Sequence, residues 1–185
     1  MKQDLLKIAM TLSLTGCSGG DHAANRGDPP VDNATLTKFD LTSSSFEPNG
    51  TIPAQYSCDG AGQSPALSWG EAPAGTKSFA LVVDDPDAPS GTFRHWGAWD
   101  IPAGTRSLAA GQAVGKQAVN GADKSGYMGP CPPPGHGVHH YHFKLFALDT
   151  DTLNVPDGAK VEEVEQAAVK HALGRAELIG TFERK

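Results

Sequence analysis

Two stretches of the chain bring together carboxyl, imidazole and phenol groups. The first, DDPDAPSGTFRHW, contains Asp85, Asp87 and His95, and the second, HHYHF, begins with His139 and includes Tyr141. Imidazoles and a phenol can donate hydrogen bonds to an anion, whereas imidazoles and carboxylates together can ligate a metal ion. These residue types therefore indicate either an anion-binding pocket or a metal site.

Short apolar runs between turn signals predict the strands that position these groups. The predicted strands are Lys38–Leu41, Ala66–Trp69, Ser78–Asp85, His95–Ile101, His139–Asp149 and Ala176–Phe182. One late helix is predicted from apolar residues at helical spacing, namely Val161, Val164, Ala168 and Ala172. Asp157 is available to cap its start and Gly174 its end. We predict a mainly β fold, an antiparallel Greek-key-like β-sandwich with a peripheral α-helix near the C-terminus.

Strand alternation predicts which side chains converge. The predicted stripes are Phe79, Leu81, Val83 and Asp85; His95, Gly97, Trp99 and Ile101; and His139, Tyr141, Phe143, Leu145 and Ala147. Asp85, His95, His139 and Tyr141 thus fall at the mouth of the core, whereas His140 and the alternate positions after it face solvent. If the strands around loop 86–94 form a hairpin, Asp85 lies beside His95, where a carboxylate would fix the imidazole ring and raise its pKa.

The N-terminus predicts export. Two lysines precede the apolar run Ile8–Leu14, which is too short to span a bilayer. Leu14-Thr15-Gly16-Cys17 resembles a bacterial lipobox, in which the cysteine becomes acylated. We therefore expect a lipoprotein signal peptide at 1–16, a flexible tether at 17–37 and one domain at 38–185. A plain secretory signal, or a chance cysteine in a frayed terminus, is the alternative.

The composition limits the classes of partner. The chain has 185 residues, a formal charge of −6 and no cluster of lysine and arginine, so a nucleic-acid role is set aside. With Cys17 acylated, Cys58 and Cys131 remain as an even pair in an oxidising compartment. They form either a disulfide or two buried thiols. A disulfide would close a loop of about seventy residues, with a loop-entropy contribution of roughly 4 kcal/mol.

Several ordered motifs between Phe39 and Arg184 resemble the phosphatidylethanolamine-binding protein family, in particular its bacterial Raf-kinase-inhibitor-like branch. The motifs are YSCDG at 56–60, SPALSW at 64–69, DPDAP at 85–89, HW at 95–96, GPCPP at 129–133, HHY at 139–141, FALD at 146–149 and AELIGTF at 176–182. Many relatives have arginine where this chain has His140. By alternation His140 points away from the pocket, so the ligand site should survive this difference.

The resemblance implies a β-sandwich with peripheral helices and a small surface pocket for phosphate or phosphorylated head groups. Carried over to this chain, the ligand-binding residues are Asp85, Asp87, His95, Gly129, Pro130, Pro132, His139 and Tyr141. The expectation is a binding protein, not an enzyme, without cofactor or metal, that senses a ligand or modulates a partner protein. It would face the periplasm of a bacterial cell envelope, held to the membrane by its lipid. The alternative is a metal-dependent site or enzyme built from Asp85, His95 and His139.

Overall fold

The computed structural model describes residues 36–185, which contain nine strands and one α-helix. The predicted signal peptide, most of the tether and Cys17 lie outside the described residues. The strands are β1 (Thr37–Lys38), β2 (Leu41–Thr42), β3 (Leu67–Trp69), β4 (Ser78–Asp85), β5 (Phe93–Pro102), β6 (Ser107–Leu108), β7 (Lys116–Gln117), β8 (Val138–Leu148) and β9 (Ala172–Glu183), and α1 spans Val161–His171. No helix in this part of the chain is long and apolar enough to cross a membrane.

The strands form two sheets. The larger has the order β1-β9-β8-β4-β5-β7, and the smaller has the order β2-β3-β6. The prediction of a mainly β fold with a peripheral helix near the C-terminus is confirmed, but the two sheets do not form a strictly antiparallel Greek-key sandwich. β1 pairs with β9 in parallel, so the larger sheet is mixed. Gly174 permits this pairing, because a Cβ there would lie 2.5 Å from the carbonyl oxygen of Thr37.

β4 lies inside the larger sheet and is buried on both of its faces. Phe79, Leu81 and Val83 pack between the two sheets, in the cluster that also contains Tyr141 of β8. Ala80 and Val82 pack in a second cluster, with the apolar side of α1. A strand buried on both faces has a near-continuous apolar run, which explains the SFALVV sequence and places its last two residues, both aspartates, inside the protein.

The ends of α1 differ from the prediction. Its N-cap is Lys160, not Asp157, and the Glu163 carboxylate accepts the Lys160 backbone N–H at 2.8 Å. Glu163 thereby satisfies one of the backbone donors that a helix start leaves open. At the other end, α1 passes directly into β9 without a loop, so Gly174 lies inside a strand and ends no helix. The helix ends three residues before Gly174, where β9 begins to pair with β8.

The structure joins Cys58 and Cys131 by a disulfide, with a Cα–Cα distance of 5.4 Å and a sequence separation of 73 residues. Two further contacts bring the same segments together. The Cys58 backbone N–H donates to the Pro130 carbonyl at 3.0 Å, and the Tyr127 hydroxyl donates to the Tyr56 carbonyl at 3.2 Å. The loop that enters β8 is therefore fixed against the 56–58 segment.

Substitution of Gly97 should destabilise the domain. A Cβ at Gly97 would lie 2.8 Å from the Ala118 Cβ and 3.1 Å from Val161 Cγ2, at the base of α1. Because overpacking of this kind costs about 1–3 kcal/mol, Gly97→Ala should lower the free energy of unfolding by that amount in urea denaturation. The control is Gly104→Ala, since a Cβ at Gly104 meets nothing within 4 Å. Equal stability of the two variants would contradict the packing described for α1.

Candidate functional site

A cavity of about 300 Å³ opens where β4, β5 and β8 meet the loops. Asp85 ends β4, His95 lies near the start of β5, and His139 lies near the start of β8. These three side chains line the cavity, and each is at most 3% exposed. Loop residues complete the lining: Ala88, Pro89, Ser90, Phe93, Met128, Cys131, Pro132 and Pro133. The volume is at the low end of the range for ligand pockets and is suited to a small molecule.

Asp85 holds the ring of His139. Its Oδ2 accepts a hydrogen bond from His139 Nδ1 at 2.7 Å, and its Oδ1 accepts the backbone N–H of Asp87 at 2.9 Å. An ionised carboxylate only accepts hydrogen bonds, so His139 Nδ1 carries a proton and the ring orientation is fixed. The sequence predicted that Asp85 would orient a histidine beside it. The structure assigns this role to His139, not to His95.

A third histidine, His136, contacts the free side of the His139 ring. Its Nδ1 lies 2.8 Å from His139 Nε2, and one of these two nitrogens donates to the other. His136 is exposed, so Asp85, His139 and His136 form a hydrogen-bonded chain from the interior to the surface. The sequence analysis missed His136. The signal that could have found it is its position between Gly135 and Gly137, directly before the β8 residues that line the cavity.

His95 occupies an irregularity in β5. Val83 pairs with Trp96 and the next residue of β4 pairs with Arg94, so His95 is the extra residue between them. A bulge of this kind re-aims side chains. His95 and Trp96 consequently both face the core between the sheets, where the His95 ring packs edge-on to Tyr141 at 5.2 Å between centroids.

Strict alternation along β5 was therefore a wrong prediction. A second irregularity, between Phe79 and Leu81 on β4, puts Trp99 in the cluster beneath α1 and Ile101 in the cluster between the sheets. On β8 alternation holds. Tyr141 and the apolar residues at every second position after it lie between the sheets, as predicted.

The predicted direction of the His95 pKa shift was also wrong. Its Nδ1 donates to the Met128 carbonyl oxygen at 2.9 Å, which leaves Nε2 directed to the cavity side of the ring. Burial lowers the pKa of His95, and this effect exceeds the opposing influences of Met128 and of the Asp85 carboxylate. His95 is therefore neutral at pH 7, with Nε2 available to accept a hydrogen bond, whereas the sequence predicted a cationic donor.

Tyr141 lies behind the cavity. It is fully buried, and its hydroxyl has no hydrogen-bond partner among the described protein atoms. Burial, and secondarily the Asp85 carboxylate, raises the pKa of the hydroxyl well above its usual range. The hydroxyl therefore stays protonated, and the Asp85 carboxylate lies close enough to raise its pKa although their contact falls outside hydrogen-bond geometry.

Four predicted ligand residues do not line the cavity: Tyr141, Asp87, Gly129 and Pro130. The Asp87 carboxylate faces outward, where Oδ2 accepts both the backbone N–H and the Nδ1 of His140. Gly129 and Pro130 lie behind the wall. A Cβ at Gly129 would be 2.4 Å from the Tyr56 carbonyl oxygen, so this glycine allows the loop to approach the 56–58 segment. Of the predicted wall residues, Pro132 does line the cavity.

Two other concavities differ in character from this one. A cleft of about 480 Å³ beside β1 and β9 is bordered by charged surface residues, namely Lys38, Asp40, Arg175 and Glu177. A shallow site of about 310 Å³ has neutral polar walls that include Gln63, Ser64 and Gln112. Neither contains buried histidines or carboxylates, so the smaller cavity at Asp85 is the candidate site. Within residues 36–185, no group of three or more histidine, cysteine or acidic side chains is arranged to hold a metal ion.

Comparison with known proteins agrees with this fold. The model of the phosphatidylethanolamine-binding protein family matches residues 42–183. A protein of Aquifex aeolicus named UPF0098 is 45% identical over 152 residues, which cover 79% of this chain and 89% of that protein. LppC of Mycobacterium tuberculosis, named as a candidate lipoprotein, is 40% identical over 188 residues, covering 95% of this chain and 92% of LppC.

A solved structure supports the same assignment. Escherichia coli YbcL, described as a member of the mammalian PEBP family, superposes with a TM-score of 0.76 at 31% identity, covering 80% of this chain and all of YbcL. The chain belongs to the phosphatidylethanolamine-binding protein family, as the sequence motifs predicted.

The lowered pKa of His95 predicts a loss of stability in acid. The unfolded chain binds a proton at this residue near pH 6.5, whereas the folded state binds it only at lower pH. The contribution of neutral His95 is therefore complete above about pH 6.5 and is lost as the pH falls towards its folded pKa. Urea denaturation at pH 7.5, 6.5 and 5.5 should show a steeper loss for wild type than for His95→Asn. Parallel curves would mean that His95 titrates normally.

Proposed function

We propose that this chain is a binding protein, not an enzyme, whose cavity at Asp85, His95 and His139 takes a small phosphate-like or carboxylate anion, or a phosphorylated head group. The observation that carries the proposal is the small cavity lined by three buried polar side chains, Asp85, His95 and His139. Buried polar groups are costly unless they are paired, and a small ligand in this cavity would contact all three.

The hydrogen bonds inside the cavity make anion binding dependent on protonation of the histidines. Asp85 is engaged by His139 and by the Asp87 amide, so its charge is partly compensated before a ligand enters. His139 can donate to a ligand through Nε2 when both of its ring nitrogens are protonated and His136 moves away from Nε2. His95 is neutral at pH 7 and gains a donor at Nε2 only on protonation. Anion binding should therefore be accompanied by proton uptake, with affinity that rises as the pH falls.

The competing hypothesis is a metal-dependent site or enzyme that uses Asp85, His95 and His139. The ring contacts weigh against it. His139 contacts Asp85 through Nδ1 and His136 through Nε2. His95 donates a hydrogen bond from Nδ1 to the Met128 carbonyl. Of the four ring nitrogens of His95 and His139, only one is thus free. A catalytic metal site needs about three converging protein ligands.

The proposed location is the bacterial cell envelope, facing the periplasm, with a lipid anchor at Cys17. Two observations support export. The alignment with LppC reaches 95% of this chain, beyond the 79% matched by the Aquifex protein, and so extends into the region that contains Leu14 to Cys17. The disulfide between Cys58 and Cys131 is typical of an oxidising compartment. The ligand that the cavity senses, or the partner protein that it modulates, would then be met outside the cytosol.

Anion binding should depend on the buried cavity residues. Isothermal titration of the protein with phosphate, phosphoethanolamine and acetate should give saturable binding to wild type. His139→Gln and His95→Gln should each weaken it about 10–100-fold, the effect of losing a hydrogen bond to a charged group.

The matched control for this titration is His140→Gln, next to His139 in sequence but on the opposite face of β8. Wild-type affinity should be higher at pH 6 than at pH 8, and metal analysis of the same sample tests the competing hypothesis. No binding by a folded, metal-free protein would reject the anion pocket.

Acylation of Cys17 can be tested in a bacterial host. Cells expressing the chain should incorporate labelled palmitate into it and retain it in the membrane fraction, because acylation provides the proposed anchor. Cys17→Ser should abolish both results. Labelling that persists in Cys17→Ser, or wild-type protein in the soluble fraction, would contradict the lipoprotein assignment. Cys58→Ser serves as the control for loss of an unrelated cysteine.

A further inference from the structure

The outward face of β8 has two different halves. Phe146 and Leu148 lie beneath α1 and belong to its apolar cluster. His140 and His142 are farther from the helix and are partly open to solvent, with side chains 48% and 25% exposed. The proposed anion cavity lies on the opposite face of the strand and uses neither of them. These two histidines therefore have no role in the function proposed above.

Strand geometry puts the two imidazoles within reach of one ion. Residues two apart on a strand point to the same face and are about 6.6 Å apart along the strand. β8 is regular between His140 and His142. His140 pairs with Thr181 of β9 and His142 with Ile179, without a register shift. Two rings on one face at this spacing can tilt towards a common metal ion.

Each of these histidines is held through Nδ1 by a carboxylate from another element. His140 Nδ1 lies 2.7 Å from Asp87 Oδ2, in the β4–β5 loop, and His142 Nδ1 lies 3.1 Å from Glu177 Oε1, on β9. A carboxylate accepts hydrogen bonds, so each contact places the ring proton on Nδ1 and leaves the lone pair on Nε2.

This arrangement is the one that favours metal binding by histidine. A metal-ligating imidazole usually donates its other ring N–H to a carboxylate, which fixes the tautomer and makes the ligating nitrogen more basic. The nearby cations are already engaged: Lys144 contacts Asp84 at 2.6 Å, and Arg175 contacts Glu177 at 2.9 Å. Their positive charge is therefore compensated and opposes a bound cation less strongly.

From this geometry we propose that His140 and His142 form a two-imidazole surface site for a divalent transition-metal ion, with water in the remaining coordination positions. Asp87 and Glu177 act as positioning residues, and they bind the rings, not the metal. The preferred ion should follow the general order of affinities for nitrogen ligands, with Cu²⁺ bound more tightly than Ni²⁺ or Zn²⁺. The site is separate from the cavity, and its two ligands are fewer than the four of a closed structural site.

The test is titration of the untagged full-length chain with CuCl₂ and NiCl₂ in a buffer that does not chelate metals. Wild type should bind one Cu²⁺ at this site. His140→Gln and His142→Gln should each weaken binding about a hundredfold, because the chelate becomes a single ligand. Glu177→Gln should weaken it about tenfold through the orientation of His142. The Cu²⁺ electron paramagnetic resonance spectrum should report two imidazole nitrogens in wild type and one in either histidine variant.

The matched control is His171→Gln. His171 is likewise exposed and held through Nδ1 by a carboxylate, Asp149, at 2.9 Å, but no second histidine shares its face. His171→Gln and His22→Gln should leave the affinity unchanged. Broadening of histidine NMR signals by substoichiometric Cu²⁺ locates the ion without altering the protein. Broadening centred on His140 and His142 supports the proposal. Broadening centred on His95 and His139, or affinity unchanged in His140→Gln or His142→Gln, overturns it.

Discussion

The end of β4 places two neighbouring carboxylates, Asp84 and Asp85, inside the protein on opposite faces of one sheet. Each is 3% exposed. Burial of a charge is costly unless a partner and hydrogen bonds compensate it. Partners are therefore needed on both faces of the sheet next to the end of β4. On the helix side Arg94 and Lys144 each contact Asp84 at 2.6 Å. On the cavity side His139 contacts Asp85 at 2.7 Å. Much of the local architecture follows from these contacts.

The helix side forms a closed ring of charges. Glu165 of α1 contacts the same two cations as Asp84, Arg94 at 2.6 Å and Lys144 at 3.2 Å. This ring joins α1 to three strands directly behind the cavity. Residues adjacent in sequence thus serve opposite faces: Arg94 belongs to the ring and the next residue, His95, lines the cavity. The ring of charges fixes the strand ends that carry the cavity residues, and the loops form the cavity walls. Fixed side-chain orientation of this kind is a condition for a preorganised site.

The sequence predicted the long strands and the meeting of Asp85 with a histidine, because apolar runs and alternation are local patterns. It could not predict which histidine. The extra residue at His95 arises from pairing between strands, and no local pattern specifies that register. Asp87 was assigned to the cavity by family resemblance, but the turn after Asp85 directs it towards His140. The parallel pairing of β1 with β9 was missed for a similar reason, since it joins segments more than 130 residues apart.

The same pairing has a kinetic consequence. β9 is the last strand of the chain, and it lies between β1 and β8 in the larger sheet. The sheet therefore cannot close until β9 has been synthesised, and its closure must bring together segments distant in sequence, which slows folding. A chain whose larger sheet is still open can be threaded through a narrow translocation channel. For an exported protein, the order of the strands would thus favour passage before folding.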